Sequence, residues 1–102
     1  MSDDLVQRRL RVANREGLHV RPAANLVRLA NQYTSEIRLV FGDRKLDAKS
    51  MIDLMTMAAP QGTEFLLEAT GGDALQAADA IEKLFAQELH DQEPRETDPS
   101  ST

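Results

Sequence analysis

Apolar and polar residues alternate with different periods along the chain, and each change of period marks a new element. Residues 6–14 place Leu10 and Val12 among arginines, which is the alternation of a half-buried β-strand. From Pro22 to Tyr33 the apolar residues are spaced by three and four positions, so they share one face of a first helix. These residues are Ala23, Leu26, Ala30 and Tyr33.

A hairpin and a short helix are predicted next. Residues 42–43, a Gly-Asp pair, supply a tight turn between an alternating strand and a short return strand at 45–47. The alternating strand presents Ile37, Leu39 and Phe41. Ser50, with Asp53 three residues later, resembles a capping box and opens a helix that runs to about Ala58.

The remaining chain predicts one more strand, one more helix and a tail. Residues 63–70 alternate as a strand, and Asp73 is placed to cap a helix that runs to about Leu89. The apolar stripe of this helix consists of Ala74, Ala78, Ile81, Phe85 and Leu89. Residues 91–102 contain no large apolar side chain, so burial cannot offset the entropy of ordering them. We therefore expect one domain at residues 1–90 and a disordered acidic tail at 91–102.

The resulting element order, βαββαβα, belongs to the α+β class. The hairpin favours a four-stranded, mainly antiparallel sheet, with the three helices covering one of its faces. The same order also fits a ferredoxin-like split βαβ fold, so the pattern alone leaves two architectures open.

Length, charge and composition exclude several classes of function. A chain of 102 residues allows one small domain. It has no cysteine and its two histidines lie far apart, so we expect neither a metal nor another cofactor. The formal net charge of −5 argues against nucleic acid as a partner, and no apolar run approaches the roughly 20 residues of a membrane span. We expect a cytoplasmic protein without membrane insertion, whose partners are other proteins.

His19 is the main candidate for chemistry. It precedes a helix whose unpaired N–H groups and dipole favour an anion, and Arg21 lies two residues later. A lone histidine ordinarily has no catalytic role, but this position favours a neutral imidazole before phosphoryl transfer and a phosphorylated one afterwards. The chain has no G-x-x-x-x-G-K-[ST] loop, so the phosphoryl donor would be another protein. His90, beside the acidic tail, has none of this context.

Three segments of the chain resemble one known family. The octet from Gly17 to Ala24 is similar to the active-site motif of HPr, the histidine phosphocarrier of the bacterial phosphotransferase system. Residues 49–56 resemble the second signature of that family, and residues 61–64 and 71–75 resemble the end of its sequence. The resemblance covers about residues 7–88.

The resemblance implies an open-faced β-sandwich and a phosphoryl carrier that is not a self-sufficient enzyme. Enzyme I would phosphorylate His19 at Nδ1, Arg21 would bind the phosphoryl oxygens, and enzyme IIA-type domains would take the group onward in sugar transport. Ser50 matches the serine that a dedicated kinase/phosphorylase modifies in some bacteria.

A plain N-cap is the alternative role for Ser50, because serine caps many helices without being modified. The family usually has a glycine where this chain has Asp53. That carboxylate would repel a phosphate on Ser50 and compete for the same N–H groups. Asp53 therefore argues against phosphorylation.

The second predicted helix is more apolar than its length requires. Its apolar side chains span an arc of roughly 160°, whereas a core contact needs little more than 100°. The arc includes Met51, Ile52, Leu54 and Met55. We expect these residues to dock partner proteins together with Val20, and Arg28 to steer acidic partners. The alternatives are a fully buried helix and an ordinary solvated arginine.

Three other functions stay open at this point. A regulatory carrier of the nitrogen-related branch would use the same histidine chemistry. A ferredoxin-like module would bind a small ligand without covalent chemistry, and a purely structural interaction protein would bind no ligand. For the carrier we expect a monomer.

Overall fold

The computed structural model describes residues 5–57 and 59–97. Strands and helices follow one another there in the predicted order βαββαβα. They are β1 (Leu5–Arg11), α1 (Val20–Ala30), β2 (Glu36–Phe41), β3 (Arg44–Asp47), α2 (Met51–Met57), β4 (Glu64–Thr70) and α3 (Ala74–Thr97).

The strands form one sheet in the order β1-β4-β2-β3, and every neighbouring pair is antiparallel. Leu10 of β1 is paired with Phe65 of β4, and Leu67 of β4 is paired with Leu39 of β2. In a ferredoxin-like split βαβ fold β3 lies between β1 and β2, whereas here β4 lies between them, so the strand order excludes the ferredoxin-like alternative. The predicted α+β class with an antiparallel sheet is confirmed.

One face of the sheet is covered by the helices and forms the core. Along β4, Phe65, Leu67 and Ala69 are buried and alternate with more exposed residues, as a period of two requires. Strands and helices both contribute the largest completely buried side chains. These include Leu26, Ile37, Leu39, Leu54, Leu67 and Ile81. The other face of the sheet remains open, so the predicted open-faced β-sandwich is confirmed.

The first helix is displaced from its predicted bounds. It begins at Val20, two residues before Pro22, because proline is tolerated in the first turn, where its missing N–H has no helical acceptor. It ends at Ala30, where the side-chain amide of Asn31 donates to the carbonyl oxygen of Val27 (2.8 Å) and caps the last turn.

The third helix continues to Thr97, beyond its predicted end near Leu89. Adding a residue to an existing helix costs far less free energy than starting one, so a helix can continue past its apolar stripe. Residues 91–97, predicted as part of a disordered tail, are therefore helical in the structure. The rest of that tail, 98–102, lies outside the described residues, as does Ala58.

The capping box predicted at the start of α2 is only half formed. The backbone N–H of Asp53 donates to Ser50 Oγ (3.2 Å), so Ser50 caps the helix as expected. The Asp53 carboxylate accepts instead from the backbone N–H of Asp47 (3.0 Å), while the N–H of Ser50 donates to the Asp47 carbonyl oxygen (3.0 Å). Asp53 therefore ties α2 to the end of β3.

Candidate functional site at the start of the first helix

His19 lies at the end of a loop whose backbone is held in place before α1 begins. The N–H of Gly17 donates to the carbonyl oxygen of Asn14 (2.9 Å), and the N–H of Leu18 donates to that of Ala59 (2.8 Å). Gly17 has a φ of +79°, and a Cβ there would collide with the Ala59 carbonyl oxygen. The backbone conformation before His19 therefore requires glycine.

His19 is the N-cap residue of α1 and has an extended backbone, with φ −108° and ψ −166°. Its carbonyl oxygen accepts a helical hydrogen bond from the N–H of Ala23 (3.0 Å), but its side chain makes no capping hydrogen bond. Pro22 has no N–H to offer. The N–H groups of Val20 and Arg21 therefore find no acceptor on the His19 side chain, and together with the helix dipole they favour an anion beside it.

The imidazole of His19 has one nitrogen buried, while part of the ring is accessible. The side chain is 36% exposed, yet Nε2 is buried and makes no hydrogen bond within the described part of the chain. The Oε1 atom of Glu16 lies 3.1 Å from Nε2, at ion-pair distance but outside the direction of a good hydrogen bond. The ring is therefore accessible on the side away from Nε2.

Glu16 is a site residue that the sequence reasoning missed. The available signal was its spacing, because residues three apart in a turn can face each other. An exposed glutamate in a loop is ordinarily just solvated, and the Glu16 side chain is indeed 71% exposed. Its proximity to His19 becomes visible only with the side-chain directions.

The two predicted arginines lie along one side of α1. Arg21 is exposed in the first turn, and Arg28 is exposed in the last turn, where its Nη1 donates to Asn25 Oδ1 (3.3 Å). Their separation in sequence corresponds to almost two helical turns, so their positions are about 10 Å apart along the axis. Arg21 is therefore the arginine placed to reach an anion at His19, whereas Arg28 can act only on a more distant group.

The predicted docking residues divide into exposed, half-buried and buried ones. Val20 is 63% exposed and Ile52 is 77% exposed, whereas Met51 and Met55 are half-buried. Leu54 is completely buried in the core, so its prediction as a docking residue is wrong. The width of the apolar arc of α2 does not indicate which of its residues face the core. Leu54 is one of the residues that do. The other four, Val20, Met51, Ile52 and Met55, stay predicted docking residues, and we call them the docking surface.

The chemistry available at this site rests on a single imidazole. Within residues 5–57 and 59–97, no three metal-ligating side chains lie close enough together to hold an ion. In the same stretches, no helix is long and apolar enough to cross a membrane. The start of α1 supplies an imidazole, a guanidinium and backbone N–H groups, a combination suited to a phosphoryl group.

These features define a small open-faced α+β domain with a histidine at the anion-binding end of a helix. The family model PTS-HPr, described as the PTS HPr component phosphorylation site, matches residues 6–87. The chain belongs to the HPr family, the phosphocarriers of the phosphotransferase system (PTS).

Relatives and solved structures are similar to most of the chain. Phosphocarrier protein HPr of Treponema pallidum (strain Nichols) is 40% identical over 88 residues, which cover 86% of this chain and 100% of that protein. The crystal structure of HPr-C-His from Thermoanaerobacter tengcongensis has a TM-score of 0.79 at 30% identity, covering 83% of this chain and 96% of that one. A crystal structure of an HPr dimer from the same organism has a TM-score of 0.65 at 32% identity, covering 78% and 92%.

Proposed function

We propose that this protein carries phosphoryl groups on His19, receiving them from enzyme I and passing them to enzyme IIA-type domains. The observation that carries this proposal is the position of His19 at the N-terminus of α1, with Nε2 buried and part of the ring accessible. Membership of the HPr family supports the same role. The protein then turns over only with its partners, and we place it with them in the cytoplasm.

Transfer to the carrier forms one bond and breaks one bond. The lone pair of Nδ1 attacks phosphorus, and the bond between phosphorus and the donor breaks with its electron pair staying on the donor. Nδ1 gains the phosphoryl group, while the ring proton stays on Nε2. In the second step a nucleophile of the acceptor attacks phosphorus, and the bond between phosphorus and Nδ1 breaks with its electron pair returning to Nδ1. The carrier is thereby regenerated without a cofactor.

Positive groups at the start of α1 favour both steps. The N–H groups of Val20 and Arg21 and the guanidinium of Arg21 can bind the phosphoryl oxygens. They stabilise the negative charge of the phosphoryl group during transfer and the dianionic group on His19 after it. Because His19 lies at the surface, a donor and an acceptor can reach it in turn.

The docking surface gives these partners a place to bind. Val20 directly follows His19, and Ile52 is a large apolar side chain left mostly in water. The half-buried methionines of α2 can repack against more than one partner. Arg28 adds a positive charge at the far end of α1, which would steer acidic partner surfaces.

For Ser50 we propose that capping α2 is its role, rather than regulatory phosphorylation by a serine kinase/phosphorylase. Its Oγ already accepts from the N–H of Asp53, and a phosphate there would lie within one helical turn of the Asp53 carboxylate. Incubation with such a kinase and ATP should produce no base-labile phosphoserine. Phosphate on Ser50 in the wild-type protein would reverse this assignment.

Incubation with phosphoenolpyruvate and enzyme I tests the carrier function. We expect the wild-type protein to acquire an acid-labile, base-stable phosphate that mass spectrometry locates on His19. His19→Ala should acquire none, whereas the matched control His90→Ala should be labelled normally. A wild-type protein that stays unmodified would refute the carrier function and favour a ligand-binding module.

Two further measurements define the role of the carrier. Transfer from the phosphorylated protein to sugar-specific and to nitrogen-type enzyme IIA domains distinguishes sugar transport from the regulatory branch. We propose that the protein is a monomer, which light scattering can test. The dimer among the structural relatives makes this measurement informative.

A further inference from the structure

The transfer steps proposed above use Nδ1 of His19, Arg21 and the N–H groups of α1, but not the contact between Glu16 and His19. The buried Nε2 of His19 lies 3.1 Å from Glu16 Oε1 and makes no hydrogen bond within the described part of the chain. A buried polar atom without a hydrogen bond is costly. The Glu16 side chain is 71% exposed, so a small rotation can bring its carboxylate oxygen onto the Nε2–H axis.

We propose that Glu16 is a positioning residue that accepts a hydrogen bond from Nε2–H of His19, an inference that rests on the proposed carrier function. The hydrogen bond made by one ring nitrogen sets which nitrogen of an imidazole carries the proton. With the proton held on Nε2, Nδ1 keeps the lone pair that attacks phosphorus. Glu16 therefore selects the reactive tautomer and fixes the orientation of the ring.

The same contact serves the ring after transfer. Once Nδ1 bears phosphorus and Nε2 keeps its proton, the ring carries positive charge, which the carboxylate of Glu16 offsets. Glu16 approaches the ring at Nε2, so its negative charge lies away from the phosphoryl oxygens on Nδ1. Arg21 and the helix N–H groups are assigned to those oxygens.

Three variants separate this role from a general effect of charge. Glu16→Ala removes the acceptor, and Glu16→Gln keeps an acceptor oxygen without the charge. Glu36→Ala is the matched control, because its side chain is 64% exposed and pairs with Arg38 (2.7 Å). This control removes one negative charge without touching His19.

Nitrogen-15 chemical shifts of the His19 ring in the unphosphorylated protein report the tautomer directly. With the ring neutral, we expect the wild type to show a protonated Nε2 and an unprotonated Nδ1. Glu16→Ala should bring the two shifts closer together as the tautomers exchange, Glu16→Gln should stay nearer to the wild type, and Glu36→Ala should not change. Wild-type shifts in Glu16→Ala would overturn the proposal, whatever the transfer assay gives.

Transfer from phosphorylated enzyme I provides the second measurement. We expect Glu16→Ala to lower kcat by about two- to tenfold at unchanged KM, and Glu16→Gln to restore part of the rate. Wild-type or faster transfer in Glu16→Ala would overturn the proposal, because the carboxylate would then give no assistance. A wild-type protein that accepts no phosphate would instead refute the carrier function, while the chemical shifts would still decide whether Glu16 sets the tautomer.

Discussion

The carboxylate of Asp73 accepts hydrogen bonds from both the backbone N–H and the hydroxyl of Ser35. These bonds tie the start of α3 to the residue before β2. Asp73 Oδ1 accepts from the N–H of Ser35 and Oδ2 accepts from the N–H of Thr34, each at 2.9 Å, while the Ser35 hydroxyl also donates to Oδ1. Gly71 leaves room for this contact, because a Cβ there would lie 2.6 Å from Ser35 Oγ. The Asp73 carboxylate, predicted to cap α3, thus stabilises a turn distant in sequence.

Asp73→Asn is predicted to destabilise the fold in a pH-dependent manner. The hydrogen bond from the Ser35 hydroxyl, followed by that from the Thr34 N–H, lowers the pKa of Asp73 from 3.8 to about 2. Because the folded pKa lies below the unfolded one, the stabilisation is complete above about pH 4 and is lost as the pH falls through about 2. Urea unfolding should therefore show a deficit for Asp73→Asn at pH 7 that shrinks towards pH 2. A deficit of equal size at both pH values would contradict this linkage.

Local patterns predicted the elements, whereas contacts between distant residues could not be predicted. The apolar residues Phe65 and Leu67 are only two positions apart in sequence, and in β4 both are buried, as this spacing predicts. Ser35 and Asp73 are 38 residues apart and meet only once α3 packs beside the sheet. Leu54 shows the same limit, because periodicity identifies an apolar arc but tertiary packing decides which part of it is buried.

The candidate site was largely predictable because most of its parts are close in sequence. The glycine turn, His19, Arg21 and the helix start all fall within a few residues, so a single motif contains them. Glu16 is equally close, but its contact with His19 depends on the directions of two side chains in a turn. Sequence spacing specifies those directions poorly outside regular helices and strands.

Gly17→Ala is predicted to disturb both the fold and the site. A Cβ at this position would collide with the carbonyl oxygen of Ala59, which accepts the hydrogen bond from Leu18, and φ is +79°. We expect a loss of about 1–3 kcal/mol in the free energy of unfolding, together with slower phosphorylation of His19. Gly42→Ala is the control, because Gly42 has a φ of +65° but open space around its Cβ. Equal losses in urea unfolding and equal transfer rates for the two variants would rule out a specific effect of the Ala59 contact.

Ile52 and Leu54 are predicted to separate docking from stability within one helix. Ile52→Asp should raise the KM for this protein in the enzyme I reaction, because it puts a charge into a contact that excludes water, and should leave thermal unfolding nearly unchanged. Leu54→Ala should instead lower the free energy of unfolding by about 2–5 kcal/mol, because it empties a completely buried position. An unaltered KM in Ile52→Asp would remove α2 from the docking surface.

Arg21 and Arg28 are predicted to affect different steps, although both are exposed on the same helix. Arg21→Gln removes a charged donor to the phosphoryl oxygens, so kcat for transfer to His19 should fall by about 10- to 100-fold. Arg28 lies too far along the helix to bind the phosphoryl oxygens. Arg28→Gln should instead raise KM and make KM depend less on salt, because salt screens the steering of partners by exposed charges. Steady-state transfer from enzyme I at several salt concentrations measures both parameters. If Arg28→Gln lowered kcat as much as Arg21→Gln does, the assignment of one arginine to phosphoryl binding and the other to partner steering would be wrong. Both arginines would then act on His19 through their combined positive charge.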